Sequence, residues 1–181
     1  MKISRLSIPD VLVIEPQIFS DERGFFLETF NQNRFDKIFG NNIKFVQDNY
    51  SSSKKGVLRG LHYQKAPRAQ GKLIKVINGE IFDVAVDLRK ESATFGNWTS
   101  EILSKENNKQ LWIPEGFAHG FLVLSDNADV IYKTTDFYSL DNERCIKFDD
   151  PTIGVIWPNM DKYTLSKKDL EGLSLNQCLE S

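Results

Sequence analysis

Short alternating runs of apolar and polar residues dominate the chain between about residues 55 and 158. Turn residues separate these runs, and this pattern is typical of an all-β sandwich or barrel. The clearest pair of runs is 72–77 and 80–88, with Asn78-Gly79 between them. Asn-Gly tolerates the positive φ angles of a two-residue hairpin turn, so the pattern predicts that the two runs pair as a β-hairpin.

The second arm of this predicted hairpin has two different faces. Asp83 and Asp87 share one face, while the apolar residues around them share the other, because successive strand side chains point to opposite sides. One face is therefore core, and the other is polar or lines a site. A second strand pair is predicted for 121–124 and 129–133, and it places Tyr132 on a strand.

Helices are predicted only at the edges of this β-rich region. Apolar residues recur at helical spacing over Asn31–Gly40, and the closing glycine is typical of a helix end. Near the C-terminus, Ser166 and Asp169 stand at the N-cap and N3 positions of a short helix. The last residues, 171–181, are expected to form a poorly ordered tail, as chain termini often do.

Length and charge restrict the classes of protein that the chain can represent. Its 181 residues suffice for one domain with a sizeable core, so 1–181 is treated as a single unit. The net charge of -2 leaves no extended basic face, so neither nucleic acid nor a membrane is expected as a partner. No run is apolar enough for a signal peptide or membrane span, which favours a cytoplasmic protein. Cys145 and Cys178 lack CxxC spacing and predict neither a disulfide framework nor a thiol-ligated zinc.

Histidine is scarce, since the chain has only His62 and His119. His119 closes the stretch 114–119, a P-x-G-x-x-H pattern that resembles the second motif of the cupin superfamily at the position of a metal ligand. The stretch 59–64 corresponds to the first cupin motif but holds a single histidine. Catalytic transition metals mostly need three or four protein ligands, so the sequence predicts a cupin without a catalytic metal. His62 is then free to act as a base.

A longer series of motifs runs through the chain in order. Its centre is Lys55-Gly-Val-Leu-Arg-Gly-Leu-His-Tyr-Gln64, followed by Gln70-Gly-Lys72. The flanking stretches are DERGFFLE at 21–28, Gln47-Asp-Asn49, QLWIPEGFAHG at 110–120, Tyr132-Lys133, Asp149-Asp-Pro151 and Trp157-Pro158. Together they resemble the dTDP-4-dehydrorhamnose 3,5-epimerase family over roughly residues 7 to 170, and so many ordered motifs are far more specific than one short pattern.

The resemblance implies an all-β cupin, a double-stranded β-helix or jelly roll, with a few short peripheral helices. It also implies epimerisation at C3 and C5 of dTDP-4-dehydro-6-deoxy-D-glucose, beside the C4 ketone, in dTDP-L-rhamnose biosynthesis and with no cofactor. By the same resemblance, His62 is the base and Asp169 orients its imidazole. Lys72 stabilises the enolate oxygen and Tyr132 returns the proton. Histidine and tyrosine have ordinary pKa values of about 6.5 and 10, which suit these roles at neutral pH.

The resemblance implies substrate-binding residues as well. Guanidinium groups suit a diphosphate, amides suit a thymine edge and an aromatic ring stacks on the base. The implied set is Arg23, Phe26, Glu28, Gln47, Asp48, Asn49, Arg59, His119, Tyr138, Glu143 and Lys168. Subunits of the family pair as homodimers through the N-terminal segment, about residues 1–50 here, so Arg23 and Glu28 are expected to act in the partner's site.

One local conflict needs a structural solution. Strict alternation along a strand from Arg59 to His62 would send the two side chains to opposite faces, although both are wanted in one pocket. We expect Gly60 to permit a bulge or bend that re-aims one of them.

Other interpretations of the sequence stay open. The chain could be an epimerase of C3 or C5 alone on a related nucleotide sugar, or a silent cupin that only binds a sugar nucleotide. A metal-dependent cupin isomerase or oxygenase is disfavoured by the histidine count. Individually, His119 could be a core residue, Tyr132 an amphipathic strand residue, and Asp169 only a carboxylate beside a helix dipole.

Overall fold

The computed structural model describes residues 1–40 and 43–180. In this part of the chain two antiparallel sheets face each other, and a third, two-stranded sheet is formed by a short hairpin. The strands are β1 (Lys2–Arg5), β2 (Leu12–Glu15), β3 (Ile18–Asp21), β4 (Gly24–Leu27), β5 (Gln47–Lys54), β6 (Leu58–Gln64), β7 (Lys72–Asn78), β8 (Glu80–Asp87), β9 (Trp98–Ser104), β10 (Gln110–Ile113), β11 (Phe117–Val123), β12 (Asn127–Thr134) and β13 (Glu143–Cys145). The helices are α1 (Gln32–Phe39), α2 (Lys167–Leu170) and α3 (Leu175–Glu180).

The winding of the chain between the sheets confirms the predicted all-β jelly roll. One sheet has the strand order β1-β2-β10-β7-β12-β5, and the other has the order β13-β6-β11-β8-β9. Successive strands from β5 to β8, and again from β9 to β13, therefore alternate between the two sheets. Side chains from both sheets meet in the space between them.

Both predicted hairpins were wrong about strand pairing, although the strands exist. β7 pairs with β10 and β12, whereas β8 pairs with β9 and β11. β11 and β12 likewise belong to different sheets. The Asn78-Gly79 turn is a corner between the sheets, with Gly79 at a φ of 76°. The Glu80 amide donates to Ser125 Oγ of the neighbouring corner at 2.8 Å, so the two corners support each other.

The main apolar core lies between the two sheets. Ile74, Val76 and Leu111 contribute to it from one sheet, and Ile81 and Ala85 contribute from the other. Each of these five side chains is fully buried. Burying one large aliphatic side chain stabilises the fold by about 1.5–3 kcal/mol, so this layer holds the sheets together.

The predicted N-terminal helix is confirmed as α1. Its N-cap Asn31 accepts a hydrogen bond from the Arg34 amide, and its C-cap is Gly40, which has a φ of 79°. Phe35 is buried against Trp112 on the outer side of the first sheet. No helix within the described residues is long and apolar enough to cross a membrane.

The C-terminal segment packs on the domain instead of forming a loose tail. Residues 175–180 form α3, and Leu175 and Cys178 are buried against the outer face of the second sheet. The Leu175 amide donates to the buried Asp150 carboxylate at 3.0 Å. Apolar burial and this hydrogen bond explain why the segment is ordered.

Strand β6 bends at Gly60, as predicted. In the pairing of β6 with β11, His62 stands opposite His119 and Arg59 stands opposite Phe121, with a register shift between the two pairs. Strand β6 therefore has one residue more than β11 across this interval, and the extra residue breaks the alternation. Gly60 has a φ of 126°, a conformation that essentially only glycine adopts.

The Gly60→Ala substitution should destabilise the fold strongly. A Cβ at this position would lie 2.5 Å from Gly120 Cα and 2.8 Å from the His119 carbonyl oxygen. Together with the strained φ, this predicts a loss of about 3 kcal/mol or more in the free energy of unfolding. Urea denaturation measures the effect. Gly40→Ala is the control, because Gly40 also has a positive φ but a Cβ there would meet nothing within 4 Å. Equal losses for the two variants would contradict the packing argument.

Candidate active site

A cavity of about 420 Å³ lies between the two sheets. Strands β5, β7 and β12 supply one wall, and β6, β11 and β13 supply the other. Most of the side chains proposed from the sequence line it, namely Gln47, Asn49, Arg59, His62, Lys72, His119, Tyr132, Tyr138, Glu143 and Lys168. Residues from six strands, the loop after β12 and α2 are thus gathered in one place.

His62 is held by the carboxylate of Asp169, as proposed from the sequence. Its Nε2 lies 2.5 Å from Asp169 Oδ1, although the two residues are far apart in the chain. Asp169 is 3% exposed, and its Oδ2 accepts a 2.6 Å hydrogen bond from the Ser166 hydroxyl. Ser166 and Asp169 also form the capping box that begins α2. Asp169 therefore both caps α2 and contacts the imidazole of His62.

The pKa values of this pair set its charge state. Burial raises the pKa of the Asp169 carboxyl, but hydrogen bonds from His62 and Ser166 outweigh burial and lower the pKa to about 2. Burial lowers the pKa of His62 below 6.5, and the contact with Asp169 opposes this only in part. At neutral pH the imidazole is therefore neutral and the carboxylate is ionised. Because a carboxylate only accepts, Nε2 donates to it and Nδ1 keeps its lone pair.

Lys72 is a buried cation beside this pair. It is 8% exposed, and its Nζ donates to the His62 carbonyl oxygen at 3.2 Å. Burial lowers the pKa of Lys72 to about 8, while the charges of Asp83 and Glu143 oppose the shift. The ammonium form therefore still predominates at pH 7, in a poorly solvated position where its charge acts strongly.

Tyr132 lies on the wall opposite His62. It belongs to β12 of the first sheet, whereas His62 belongs to β6 of the second. Burial raises the pKa of the Tyr132 phenol, and the charge of Arg59 opposes this shift. The phenol is consequently protonated at neutral pH and available as a proton donor.

His119 is oriented by a carboxylate that had no assigned role in the sequence. Its Nε2 lies 3.0 Å from both oxygens of Asp83, which is fully buried. The alternation along β8 had placed Asp83 on a possible site-lining face, and the structure pairs it with His119. Each of the two histidines therefore has its own aspartate.

A chain of hydrogen bonds connects cavity residues from β5, β13, α2 and the loop after β12. Tyr138 donates from its hydroxyl to Glu143 at 3.0 Å and from its backbone amide to Gln47 at 3.0 Å. Lys168 bonds the other oxygen of Glu143 at 2.7 Å, and the Gln47 amide donates to Asn49 at 2.9 Å. These contacts hold an aromatic ring, two amides and a cation along the cavity wall.

Four of the proposed binding residues do not reach this chain's own cavity. Arg23, Phe26 and Glu28 lie on or beside the β3–β4 hairpin and away from the cavity, where Arg23 pairs with Asp21. The carboxylate of Asp48 points to the outer face of β5 and forms a 2.9 Å ion pair with Lys133.

Sequence reasoning did not assign several residues that line the cavity, namely Ser51, Tyr63, Gln64, Gln70 and Phe121. Gln64 and Gln70 lie inside the quoted motifs, so a signal was present. The side-chain nitrogen of Gln64 donates to the carbonyl oxygens of Arg68 and Phe137. Its side-chain oxygen accepts from the backbone amide of Ser139. Gln64 therefore fixes the loop that carries Tyr138.

One cluster within the described residues has ligand atoms close enough for a metal ion. The ligand atoms of His62, Cys145 and Asp169 lie within 4.8 Å of one another. However, the imidazole and the carboxylate are in direct hydrogen-bonding contact. Burial also raises the pKa of Cys145 to about 12, and a protonated thiol is a poor metal ligand. The donors fit a proton-transfer pair better than a metal centre.

The fold and the cavity define a cupin-type isomerase, and comparisons with known proteins agree. The family model described as dTDP-4-dehydrorhamnose 3,5-epimerase matches residues 5–177. The proteins of that name from Shigella flexneri and Pseudomonas aeruginosa are 57% and 56% identical to this chain, each covering 95% of it and 94% of the relative. The crystal structure of the Legionella pneumophila enzyme RmlC in complex with dTDP-4-keto-L-rhamnose superimposes with a TM-score of 0.94 at 51% identity, covering 97% of this chain and 93% of that one. The chain belongs to the dTDP-4-dehydrorhamnose 3,5-epimerase family.

The Asp169→Asn substitution should lower the free energy of unfolding at neutral pH by about 2 kcal/mol. The folded-state pKa, about 2, lies below the ordinary value of 3.8. The carboxylate therefore stabilises the fold fully above the ordinary value, and this contribution disappears as the pH falls towards the folded value.

Urea unfolding of the wild type and Asp169→Asn across this pH range measures the effect. We expect the difference between the two proteins to shrink between about pH 4 and about pH 2. Asp161→Asn, at an exposed aspartate, should differ little from the wild type throughout. A difference for Asp169→Asn that is independent of pH would contradict the assigned charge.

Proposed function

We propose that this chain inverts C3 and C5 of dTDP-4-dehydro-6-deoxy-D-glucose, giving dTDP-4-dehydro-L-rhamnose, by proton transfer beside the C4 ketone. The observation that carries the proposal is the His62 imidazole, which Asp169 holds in a cavity that Lys72 and Tyr132 also line. Each step of a deprotonation and reprotonation then has a group of suitable pKa.

His62 removes the proton from the carbon beside the ketone. A neutral imidazole with a free lone pair on Nδ1 is competent as a base at pH 7, and its lowered pKa keeps it unprotonated. When the imidazole accepts the proton it becomes a cation. The ionised Asp169, 2.5 Å from Nε2, stabilises that cation.

Lys72 stabilises the enolate that deprotonation creates. The negative charge develops on the C4 oxygen, and a buried ammonium is more effective there than a solvated one. The bond from its Nζ to the His62 carbonyl oxygen places the cation beside the base. The base and the cation that stabilises the enolate therefore lie next to each other in the cavity.

Tyr132 returns a proton on the other side of the sugar ring. Inversion needs a base on one face of the carbon and an acid on the opposite face. The two residues come from opposite sheets, so a sugar bound between them has His62 on one side and Tyr132 on the other. The jelly-roll fold therefore allows a base and an acid to act on opposite faces of the sugar ring.

The remaining polar side chains bind the nucleotide. Gln47 and Asn49 offer amides to the thymine edge, and Tyr138 stacks on the ring. Arg59 and Lys168 supply positive charge for the diphosphate. All five line the cavity, which supports their assignment.

We further propose that the chain acts as a homodimer in which the β3–β4 hairpin completes the partner's site. The hairpin exposes four large apolar side chains, Ile18, Phe19, Phe25 and Phe26, and such a patch is typical of an interface. Arg23 and Glu28 lie outside their own cavity, as this arrangement requires.

We also propose that the protein works in the cytoplasm. Cys145 carries a free thiol, which agrees with a reducing compartment. Fractionation of the source cells tests this proposal, since a periplasmic or secreted pool would contradict it.

Incubation with dTDP-4-dehydro-6-deoxy-D-glucose in deuterated water tests the reaction. NMR should show deuterium at both C3 and C5 together with inversion of both carbons, because each proton is exchanged through an enolate. Label and inversion at one carbon only would identify a single-carbon epimerase. No label at either carbon would contradict the proposed reaction and would indicate a protein that only binds a sugar nucleotide.

Two variants separate the roles of base and acid in the same assay. His62→Asn should lose both label and inversion, with a rate loss of about a thousandfold. Tyr132→Phe should still incorporate deuterium but without inversion, because the imidazolium returns deuterium to the face it came from. Tyr50→Phe, at an exposed tyrosine on the outer face of β5, is the control and should behave as the wild type. Wild-type inversion by Tyr132→Phe would rule out Tyr132 as the donor.

Mixed dimers test whether Arg23 acts in the partner's site. His62→Asn and Arg23→Ala are each expected to be inactive alone. If the hairpin acts in trans, subunit exchange restores roughly a quarter of the sites, because one site of each mixed dimer combines the two intact residues. If Arg23 acts in its own subunit, every site retains a defect and mixing restores no activity.

A further inference from the structure

Ser166 holds the carboxylate oxygen of Asp169 that does not contact His62, and no step proposed above uses it. Oδ1 of Asp169 accepts from His62 Nε2 at 2.5 Å and from the Gly60 amide at 3.4 Å. Oδ2 accepts from the Ser166 hydroxyl at 2.6 Å and from the Ser166 amide at 3.3 Å. Because the two oxygens belong to one rigid group, the position of Oδ1 against the imidazole depends on what holds Oδ2.

The Ser166 hydroxyl has a fixed direction. Its oxygen accepts a hydrogen bond from the Asp169 backbone amide at 3.2 Å. A hydroxyl has a single proton to donate, and that proton goes to Oδ2 of Asp169. The terminal torsion of an aspartate side chain has only broad preferences, so outside contacts decide its orientation. Ser166 supplies such a contact from the same short segment that carries the carboxylate.

The segment before α2 is attached to the strand that carries His62. The Thr164 amide donates to the Gly56 carbonyl oxygen at 2.8 Å, and the Leu58 amide donates to the Thr164 carbonyl oxygen at 3.0 Å. Leu58 is the first residue of β6. Ser166 follows Thr164 by two residues and therefore has a fixed position relative to the strand on which the imidazole stands.

A second capping box, at the start of α3, shows what helix capping alone requires. The Gln177 side-chain oxygen accepts from the Ser174 amide at 2.9 Å and from the Ser174 hydroxyl at 3.1 Å. The bond from the backbone amide is the shorter one, as capping needs. In the box of Ser166 the order is reversed, since the hydroxyl bond is 2.6 Å and the backbone bond is 3.3 Å. Its acceptor is also a buried carboxylate in contact with His62.

We propose that Ser166 is a positioning residue for the reaction, whose hydroxyl holds Oδ2 of Asp169 so that Oδ1 stays against Nε2 of His62. This inference rests on the proposed function, because it assumes that His62 is the base. Hydrogen bonds to a charged oxygen are stronger than those between neutral groups. Without the hydroxyl, the carboxylate is free to turn, and the imidazole loses the contact that fixes its tautomer and stabilises the imidazolium.

The rate of deuterium incorporation by Ser166→Gly tests the inference. Glycine is nearly as good an N-cap as serine, so this change removes the hydroxyl and largely keeps the helix start. We expect kcat to fall about tenfold with KM unchanged, because Ser166 acts through the base and not on the bound substrate. Ser166→Thr keeps the hydroxyl and should recover the wild-type kcat, since Ser166 is exposed and leaves room for a methyl group.

Ser174→Gly is the matched control. It removes the same kind of capping hydroxyl from α3, whose partner is Gln177 and not Asp169. Both kcat and KM should therefore equal those of the wild type. Equal losses of kcat in Ser174→Gly and Ser166→Gly would show an effect of capping alone and would overturn the inference.

Nitrogen-15 NMR of His62 in the same variants tests the positioning without substrate. In Ser166→Gly, a ring protonated on Nδ1 should appear beside the form protonated on Nε2, whereas Ser174→Gly should match the wild type. An unchanged kcat, or an unchanged His62 spectrum, in Ser166→Gly would overturn the inference. If the wild type incorporates no deuterium, the proposed function fails, and the His62 spectrum of Ser166→Gly still decides whether Ser166 positions the carboxylate.

Discussion

The hydrogen bond between His62 and Asp169 joins the two parts of the molecule on which the site depends. His62 belongs to a central strand pairing, while Asp169 belongs to a four-residue helix near the C-terminus. The same carboxylate caps that helix through Ser166 and accepts a weaker bond from the Gly60 amide at 3.4 Å. The helix start, the bend of β6 and the orientation of the imidazole are therefore coupled through one buried carboxylate.

This coupling explains why the bend at Gly60 matters for chemistry as well as for folding. Without the extra residue in β6, either Arg59 or His62 would leave the cavity. The close approach of Gly60 to Gly120 lets the bulged strand remain packed on β11. The sandwich then places Tyr132 on the facing sheet, so the proposed base and the proposed acid lie on opposite walls of one cavity.

Local chemistry predicted local structure well. The N-cap at Asn31, the capping box at Ser166 and Asp169, and the bend at Gly60 all depend on neighbouring residues, and the structure has each of them. Fold class, family and the gathering of most of the proposed side chains in one cavity followed from the ordered motifs.

Which strands pair with each other was harder to predict from the sequence. Asn78-Gly79 permits the same backbone angles at a sheet-to-sheet corner as in a hairpin, and only the whole jelly roll decides between them. For the same reason, the pairing of Asp83 with His119 could not be predicted. It depends on a contact between strands that are distant in sequence. The ordered C-terminal helix also depends on burial against a sheet formed much earlier in the chain.

The proposed mechanism depends on a neutral His62 imidazole whose Nε2 donates a hydrogen bond to Asp169. Nitrogen-15 NMR of histidine-labelled protein at neutral pH measures this directly, because the two ring nitrogens have different shifts when protonated and unprotonated. We expect a neutral His62 ring with the proton on Nε2 and a free lone pair on Nδ1. An imidazolium at neutral pH, or a ring protonated on Nδ1 alone, would contradict it.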